Sequence, residues 1–206
     1  MITLYTWGTP NGRKISIALE ELNLTYEVRP IDITRQAQFD PAFLALNPNN
    51  KIPVLVDDDG PDGAPITLIE SGAILLYLAE KHGALIPADP RERYDMQQWL
   101  MFQMGSVGPM LGQAHHFLRF APERIHYAID RYTGETARIY GVLNTRLDGR
   151  NWLAGGTYSI ADIATYPWIA RHDWQGIDLA RYPKVQRWFM AMADRPAVRR
   201  GMEIPR

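Results

Sequence analysis

The chain has 206 residues, 46% of them hydrophobic and 22% charged, with a formal net charge of -1. This is the composition of a globular protein with one large or two small cores, and without a basic surplus a nucleic-acid partner is not expected. There is no cysteine, which excludes disulfide staples, thiolate zinc sites and any redox sulfur carried by the protein itself. No apolar run approaches the roughly 20 residues needed to cross a bilayer, so no membrane partner is expected. Met1-Ile2-Thr3-Leu4-Tyr5 lacks the basic start and apolar stretch of a signal peptide, and a cytoplasmic protein is expected.

Residues 2–6 alternate apolar and polar and are rich in β-branched and aromatic types, which predicts a short strand. Gly8-Thr9-Pro10-Asn11-Gly12 then makes a turn, and Ile15, Ala18, Leu19 and Leu22 fall at helical spacing. Pro10 suits a first helical turn, where its missing N–H costs nothing. Residues 26–31 read as a second strand, with Pro30 marking an edge position or a strand end. A short helix is expected over residues 41–46.

Residues 52–56 and 65–69 flank the turn cluster Asp57-Asp58-Asp59-Gly60-Pro61-Asp62-Gly63 and predict a hairpin. Glu70-Ser71 opens a helix that Gly83 closes. Strand, helix, strand, helix, hairpin and helix make a small α/β layer structure with a mixed sheet, expected as a domain over 1–83. Residues 84–90 read as a linker and 91–206 as an all-α domain. Its helices are expected over about 91–117 and 122–147, from near Ser159, and after Pro183. Ser159 and Asp162 have capping-box spacing, with Asp in place of the usual Glu, so Asp162 reads as structural. Trp99, Trp152, Trp168 and Trp188 are core candidates. The adjacent pair His115-His116 lacks the i, i+4 spacing of helical metal ligands, so no metal is expected.

Three local signals coincide in the first half: Thr9-Pro10-Asn11-Gly12, Asn50-Lys51-Ile52-Pro53-Val54-Leu55, and Leu68-Ile69-Glu70-Ser71-Gly72-Ala73-Ile74. With Ser159-Ile160-Ala161-Asp162-Ile163-Ala164 in the second half, they resemble glutathione transferases over essentially the whole chain. Finer detail resembles the bacterial Nu class, whose members act as glutathione-dependent disulfide-bond oxidoreductases. That detail is Gly108-Pro109-Met110-Leu111-Gly112-Gln113, His115-His116-Phe117 and Tyr127-Ala128-Ile129-Asp130-Arg131-Tyr132. The resemblance implies a thioredoxin-like N-terminal domain joined to an all-α C-terminal domain, and a homodimer formed through the third and fourth helices. It also implies a cis Ile52–Pro53 bond, although only about 5–6% of X–Pro bonds in folded proteins are cis.

Glutathione presents an ammonium and a carboxylate at its γ-glutamyl end, a central thiol, and a glycine carboxylate. Ser71, at a helix N-terminus, suits the γ-glutamyl carboxylate, and Glu70 suits the ammonium. Ile52 and Pro53, at a strand entry, and Asn11 are also expected to bind glutathione, Ile52 by backbone pairing with the cysteinyl part, as an added strand pairs at a sheet edge. Lys51 and Gln38 are expected at the glycine carboxylate. Gln38 rests chiefly on the class resemblance, as does Arg131, expected to reach a glutathione carboxylate from the helical domain. Thr9 and Asn11 are the candidate catalytic residues, their donors facing the sulfur to hold it as thiolate. Tyr5 is the competitor, and its place inside the first strand favours burial.

The expected reaction is reduction of a small-molecule disulfide, with both redox sulfurs supplied by glutathione as cosubstrate. Gly105, Gly108 and Gly112 are expected to let substrate approach closely, and Trp7, Phe117 and Phe120 to line an acceptor pocket. Two other readings stand beside it: conventional conjugation of glutathione to an electrophile, and a non-catalytic regulatory or binding protein of the same fold.

Overall fold

The computed structural model describes residues 1–154 and 156–205, which fall into two compact units. The first joins Met1–Ala84 with the segment from Arg195 on, and the second is Leu85–Asp194.

In the first unit, β1 (Ile2–Thr6), β2 (Tyr26–Pro30), β3 (Val54–Asp57) and β4 (Ile66–Leu68) form one sheet in the order β2-β1-β3-β4. β1 runs parallel to β2 and antiparallel to β3, with Leu4 opposite both Val28 and Leu55. The alternation read in residues 2–6 is kept: Ile2, Leu4 and Thr6 are buried, while Thr3 and Tyr5 are half-exposed. β2 is an edge strand, where Pro30 does no harm to the ladder. β3 and β4 form the expected hairpin.

Helix α1 (Pro10–Glu21) starts with Pro10 in its first turn, and the short α2 (Pro41–Leu44) follows β2. Helix α3 (Ser71–His82) ends on Gly83, whose φ of 59° is the left-handed conformation that glycine adopts without penalty. Ile15, Ala18 and Leu19 of α1 and Ile74, Leu75 and Leu78 of α3 are all fully buried.

The expected second domain, 91–206, is corrected at its C-terminal end. Helix α9 (Pro196–Met202) belongs to the first unit and packs on α1. Gly201 is the reason it can do so: a Cβ there would lie 2.5 Å from the Ile17 Cα, so only a glycine admits this approach. The Ser16 hydroxyl donates to the Gly201 carbonyl at 2.6 Å, and Arg195 grips the Glu21 carboxylate with two bonds of 2.7 and 2.8 Å.

The second unit is helical. Helix α4 (Pro90–Phe102) is capped by Asp89, whose carboxylate accepts from the Glu92 N–H at 3.0 Å. The single helix expected to about residue 117 proves to be interrupted. A π-helical turn at Gln103–Val107 leads into α5 (Gly108–His115), and a second follows at His116–Phe120. The first register change sits just before Pro109, which has no N–H for an interior helical bond. Helices α6 (His126–Arg146), α7 (Ile160–Ile169) and α8 (Pro183–Ala193) complete the unit. Among the described residues no helix is long and apolar enough to cross a membrane.

The expectation that Gly108 and Gly112 open space for a substrate is also corrected. A Cβ on Gly108 would meet the Gln103 amide at 3.0 Å, and one on Gly112 would meet the Trp168 ring at 3.2 Å. These glycines let the indole of α7 settle against α5. Trp168 and Trp188 are buried as expected, whereas Trp99 and Trp152 are only half-buried.

His115 lies beneath Trp168, its ring stacked on the indole at 5.7 Å between centroids. The Gln175 amide nitrogen donates to the Trp168 carbonyl at 2.8 Å and lies 3.1 Å from His115 Nε2, while its oxygen accepts from the Tyr140 hydroxyl at 2.6 Å. A carbonyl only accepts, so the amide orientation is fixed and His115 Nε2 must be an unprotonated acceptor. Burial, followed by the charge of Arg171, pushes the His115 pKa down to about 4. Between roughly pH 6.5 and 4 the unfolded chain therefore binds a proton that the folded chain refuses, and His115 costs stability as pH falls through that window. Asp162, with its pKa raised to about 6, acts in the opposite direction over the same range. The comparison that isolates His115 is wild type against His115→Gln. The stability difference between them, from urea denaturation, is expected to move by about 2–3 kcal/mol against the wild type between pH 7 and pH 4. A pH-independent difference would show that His115 does not titrate in this way.

Candidate functional site

One recess of the first unit gathers Asn11, Asn47, Lys51, Ile52, Pro53, Glu70 and Ser71. Its volume is about 130 Å³, the share of about four liquid water molecules, enough for one end of a peptide-sized ligand. Six of the residues read from the sequence as glutathione-binding meet there: Asn11, Lys51, Ile52, Pro53, Glu70 and Ser71.

Each is placed by a local device. Asn11 sits in the first turn of α1, next to the N-cap Thr9. Thr9 does not line the recess; its hydroxyl oxygen accepts the Gly12 N–H at 3.3 Å, leaving the hydroxyl proton available to another acceptor. Gly12 is required there, because a Cβ would fall 2.2 Å from Thr6 Oγ1 and 2.5 Å from the Trp7 carbonyl. The Ile52–Pro53 bond is cis. The last pairing of β1 with β3 is Tyr5 with Val54, so Ile52 lies beyond the end of that ladder. The expected sheet-edge position is thus corrected, since β3 is an interior strand and its open backbone lies at its N-terminal end.

Lys51 is exposed, and the loop before it is pinned by Asn47. The Asn47 amide donates to the Lys51 carbonyl at 2.8 Å, and its oxygen accepts the Asn49 N–H at 3.0 Å. Glu70 has a φ of 67° and ψ of 113°, a sparsely populated region for a side chain with a Cβ. It occupies the N-cap of α3 without forming a capping bond, so its exposed carboxylate is free for another task. Ser71 begins α3, where free N–H groups and the helix dipole favour an anion.

Sequence reasoning missed two members of this site. Asn47 is one, and Lys14 of α1 is the other. Only 1% of Lys14 is exposed, and its ammonium donates to Ser71 Oγ at 3.2 Å behind the recess. Burial pushes its pKa down to about 7, against the attraction of Glu70. The signal available for Lys14 was a lysine immediately before the buried Ile15, within a helix whose opposite end is polar.

Two expected binding residues are not gathered by the recess. Gln38 lies in a 3-10 turn at Ala37–Phe39, with its side-chain oxygen buried and unpartnered. Arg131 lies in the second unit on an exposed part of α6. Tyr5 is half-exposed, its ring 6.5 Å from that of Phe43. Among the described residues no group of three or more His, Asp or Glu is placed to hold a metal ion.

An acid, a helix N-terminus with a serine, an exposed lysine and unpaired strand backbone suit a zwitterionic peptide with an anionic tail. Comparison with known proteins agrees. The family described as Glutathione S-transferase, N-terminal domain, matches residues 4–89, and Glutathione S-transferase, C-terminal domain, matches residues 109–196. The chain is 52% identical over 198 residues to the disulfide-bond oxidoreductase YfcG of Escherichia coli (strain K12), a match covering 96% of this chain and 92% of that protein. Among solved structures, a glutathione transferase from Burkholderia graminis, with two glutathione molecules bound per subunit, superposes with a TM-score of 0.94 at 47% identity. That match covers 100% of this chain and 88% of the other. A glutathione transferase from Pseudomonas putida, with one glutathione disulfide bound per subunit, gives 0.94 at 45% identity, covering 100% and 92%. The chain belongs to the glutathione S-transferase family.

Proposed function

We propose that this protein is a glutathione-dependent disulfide-bond oxidoreductase. The observation that carries the reading is the recess itself, in which Glu70, Ser71, Ile52 and Lys51 provide complements for the parts of glutathione in a chain without cysteine. Its relatives' activities and bound ligands support the same reading.

Glutathione supplies the reacting sulfur: one thiolate attacks the substrate disulfide and releases one thiol, and a second glutathione resolves the mixed disulfide to give glutathione disulfide and the other thiol. The protein's part is binding and activation. Ser71 and the first N–H groups of α3 take the γ-glutamyl carboxylate, and Glu70 takes the ammonium. The Ile52 backbone fixes the cysteinyl part, and Lys51 the glycine carboxylate, with Gln38 beside it. Arg131, whose guanidinium suits bidentate recognition, is proposed for a glutathione carboxylate. Thr9 and Asn11 hold the sulfur as thiolate. Such chemistry belongs in the cytoplasm, where glutathione is kept reduced. A homodimer fits the exposed apolar side chains of α4, Tyr94 and Met101, which are 69% and 51% exposed.

Rates with hydroxyethyl disulfide and with chlorodinitrobenzene, each in the presence of glutathione, test the reading. Disulfide reduction is expected to exceed conjugation by at least about tenfold, a difference of about 1.4 kcal/mol in barrier. A reversed ratio identifies a conventional transferase, and glutathione binding with neither activity identifies a binding protein.

A further inference from the structure

Among the described residues Arg13 of α1 has neither an ion pair nor a side-chain hydrogen bond. The residue is half-buried, its Nε is buried without a partner, and burial alone holds its pKa below the usual arginine value. The carboxylates of its own helix, Glu20 and Glu21, stand at the far end, where Arg200 and Arg195 engage them. A guanidinium withdrawn from water without a counter-ion is costly, and the unpaired Nε calls for an acceptor. Its place in the helix says where that acceptor would come from. An α-helix turns about 100° per residue, so Arg13 lies about 200° round α1 from Asn11, which lines the recess. Arg13 shares its stripe instead with Thr9, one turn before it, and Ile17, one turn after. Helical side chains lean toward the N-terminus, so Arg13 covers the turn that starts at Thr9. The Arg13 N–H closes that turn on the Thr9 carbonyl at 3.0 Å.

We propose that Arg13 is a specificity-determining residue for the disulfide substrate: its guanidinium receives a carboxylate carried a few bonds from the sulfurs, so that anionic disulfides are favoured over neutral ones. This rests on the reading of the protein as a glutathione-dependent disulfide oxidoreductase. With glutathione in the recess and its sulfur between Asn11 and Thr9, the recess side of that sulfur is filled by glutathione itself. The substrate's sulfur must then approach from the Thr9 side, which is the side Arg13 covers. The planar fork of arginine matches a carboxylate with two parallel bonds, and the buried Nε gains the acceptor it lacks. The exchange does not pass through Arg13. Glutathione thiolate forms one S–S bond, the substrate's S–S bond breaks, and its electron pair leaves on the second sulfur. Arg13 holds the substrate meanwhile, so its contribution is read in KM and in kcat/KM for substrates that bear the charge.

The test compares kcat/KM of the full-length protein for 3,3′-dithiodipropionate, hydroxyethyl disulfide and cystamine, which carry two carboxylates, no charge and two ammonium groups. Each value is divided by the uncatalysed rate of that disulfide with glutathione, which removes intrinsic differences in reactivity. Wild type is expected to favour the dicarboxylate over the neutral disulfide by about 10- to 100-fold, the range of a charge-assisted bond, and to disfavour the diamine. Arg13→Gln is expected to lose most of that preference through a raised KM for the dicarboxylate. A damaged fold, or a role of Arg13 at the glutathione sulfur, lowers all three rates together; an unchanged ratio therefore overturns the proposal. If Arg13→Gln does not fold, Arg13→Met keeps the apolar stem without the charge and gives the same reading. Equal normalised rates of wild type with the dicarboxylate and the diamine overturn the proposal without any variant. Turnover of none of the three by wild type is a different failure, since it removes the oxidoreductase reading itself.

Discussion

Replacing Thr9 and Asn11 together with alanine is expected to lower disulfide-reductase turnover at neutral pH by at least about tenfold, with glutathione affinity changed only severalfold. A cysteine-type thiol has a pKa near 8.5, so only about 3% is thiolate at pH 7. Donors and a helix N-terminus lower such values, and full ionisation gains about 30-fold in nucleophile, partly offset because a more acidic thiol attacks less readily. Asn11 lines the recess in the first turn of α1. Thr9 lies at the N-cap with its oxygen engaged by the Gly12 N–H, which frees its proton for the sulfur. The groups proposed for the two ends of the tripeptide, Glu70, Ser71 and Lys51, stay in place in this variant, so the larger loss is expected in turnover. The deficit is expected to shrink as the pH rises past about 8.5, where the thiol ionises unaided. The pH profile of turnover, with the ultraviolet absorbance of the bound thiolate, reads this directly. An active double variant, with Tyr5→Phe inactive, transfers the role to Tyr5.

What could be read in advance follows the range of the interactions involved. Pro10, Gly83 and the pair Ser159 and Asp162 act within a few residues of themselves, so the helix ends they make were visible in the sequence. The binding residues Lys51, Ile52, Glu70 and Ser71 were visible because they form short runs at predictable turns. Gly201 acts on Ile17, and its helix is a single short segment rich in arginine; nothing near it in sequence marks it as part of the first unit. Gly108 and Gly112 suggested room for a ligand, whereas a tryptophan about 60 positions later fills that room. Lys14 was hidden for the same reason, since its partner Ser71 is distant and a helical lysine ordinarily faces solvent. Ile52 was recognised as open backbone, but the order of the strands decided that the opening is the end of β3 and not the side of the sheet.

Asp162→Ala is expected to be the most destabilising single change in the second unit, lowering its stability by about 3 kcal/mol at pH 7. Asp162 is fully buried at the third position of α7. One oxygen accepts the Leu153 N–H at 2.9 Å and the Trp188 indole N–H at 2.8 Å, and the other accepts the Ser159 N–H at 3.1 Å. The carboxylate therefore joins the segment before α7, the N-terminus of α7 and the centre of α8. Loss of a cap costs about 0.5–2 kcal/mol, and each stranded buried donor about 1–3 kcal/mol, with relief of the buried charge offsetting part of the sum. Asp162→Asn keeps the bonds to Leu153 and Trp188 but sets an amide against the Ser159 N–H, so it is expected to fall between alanine and wild type. The sign of the pH dependence follows from burial, which raises the Asp162 pKa to about 6 despite the three N–H donors. A raised folded-state pKa contributes stability below the unfolded value and loses it as pH rises through the folded one. The gap between wild type and Asp162→Ala should accordingly widen between pH 7 and pH 4, measured by urea denaturation followed through helical circular dichroism. A gap below about 1 kcal/mol at pH 7, or one that narrows on acidification, would mean that the carboxylate is not what ties α7 to its neighbours.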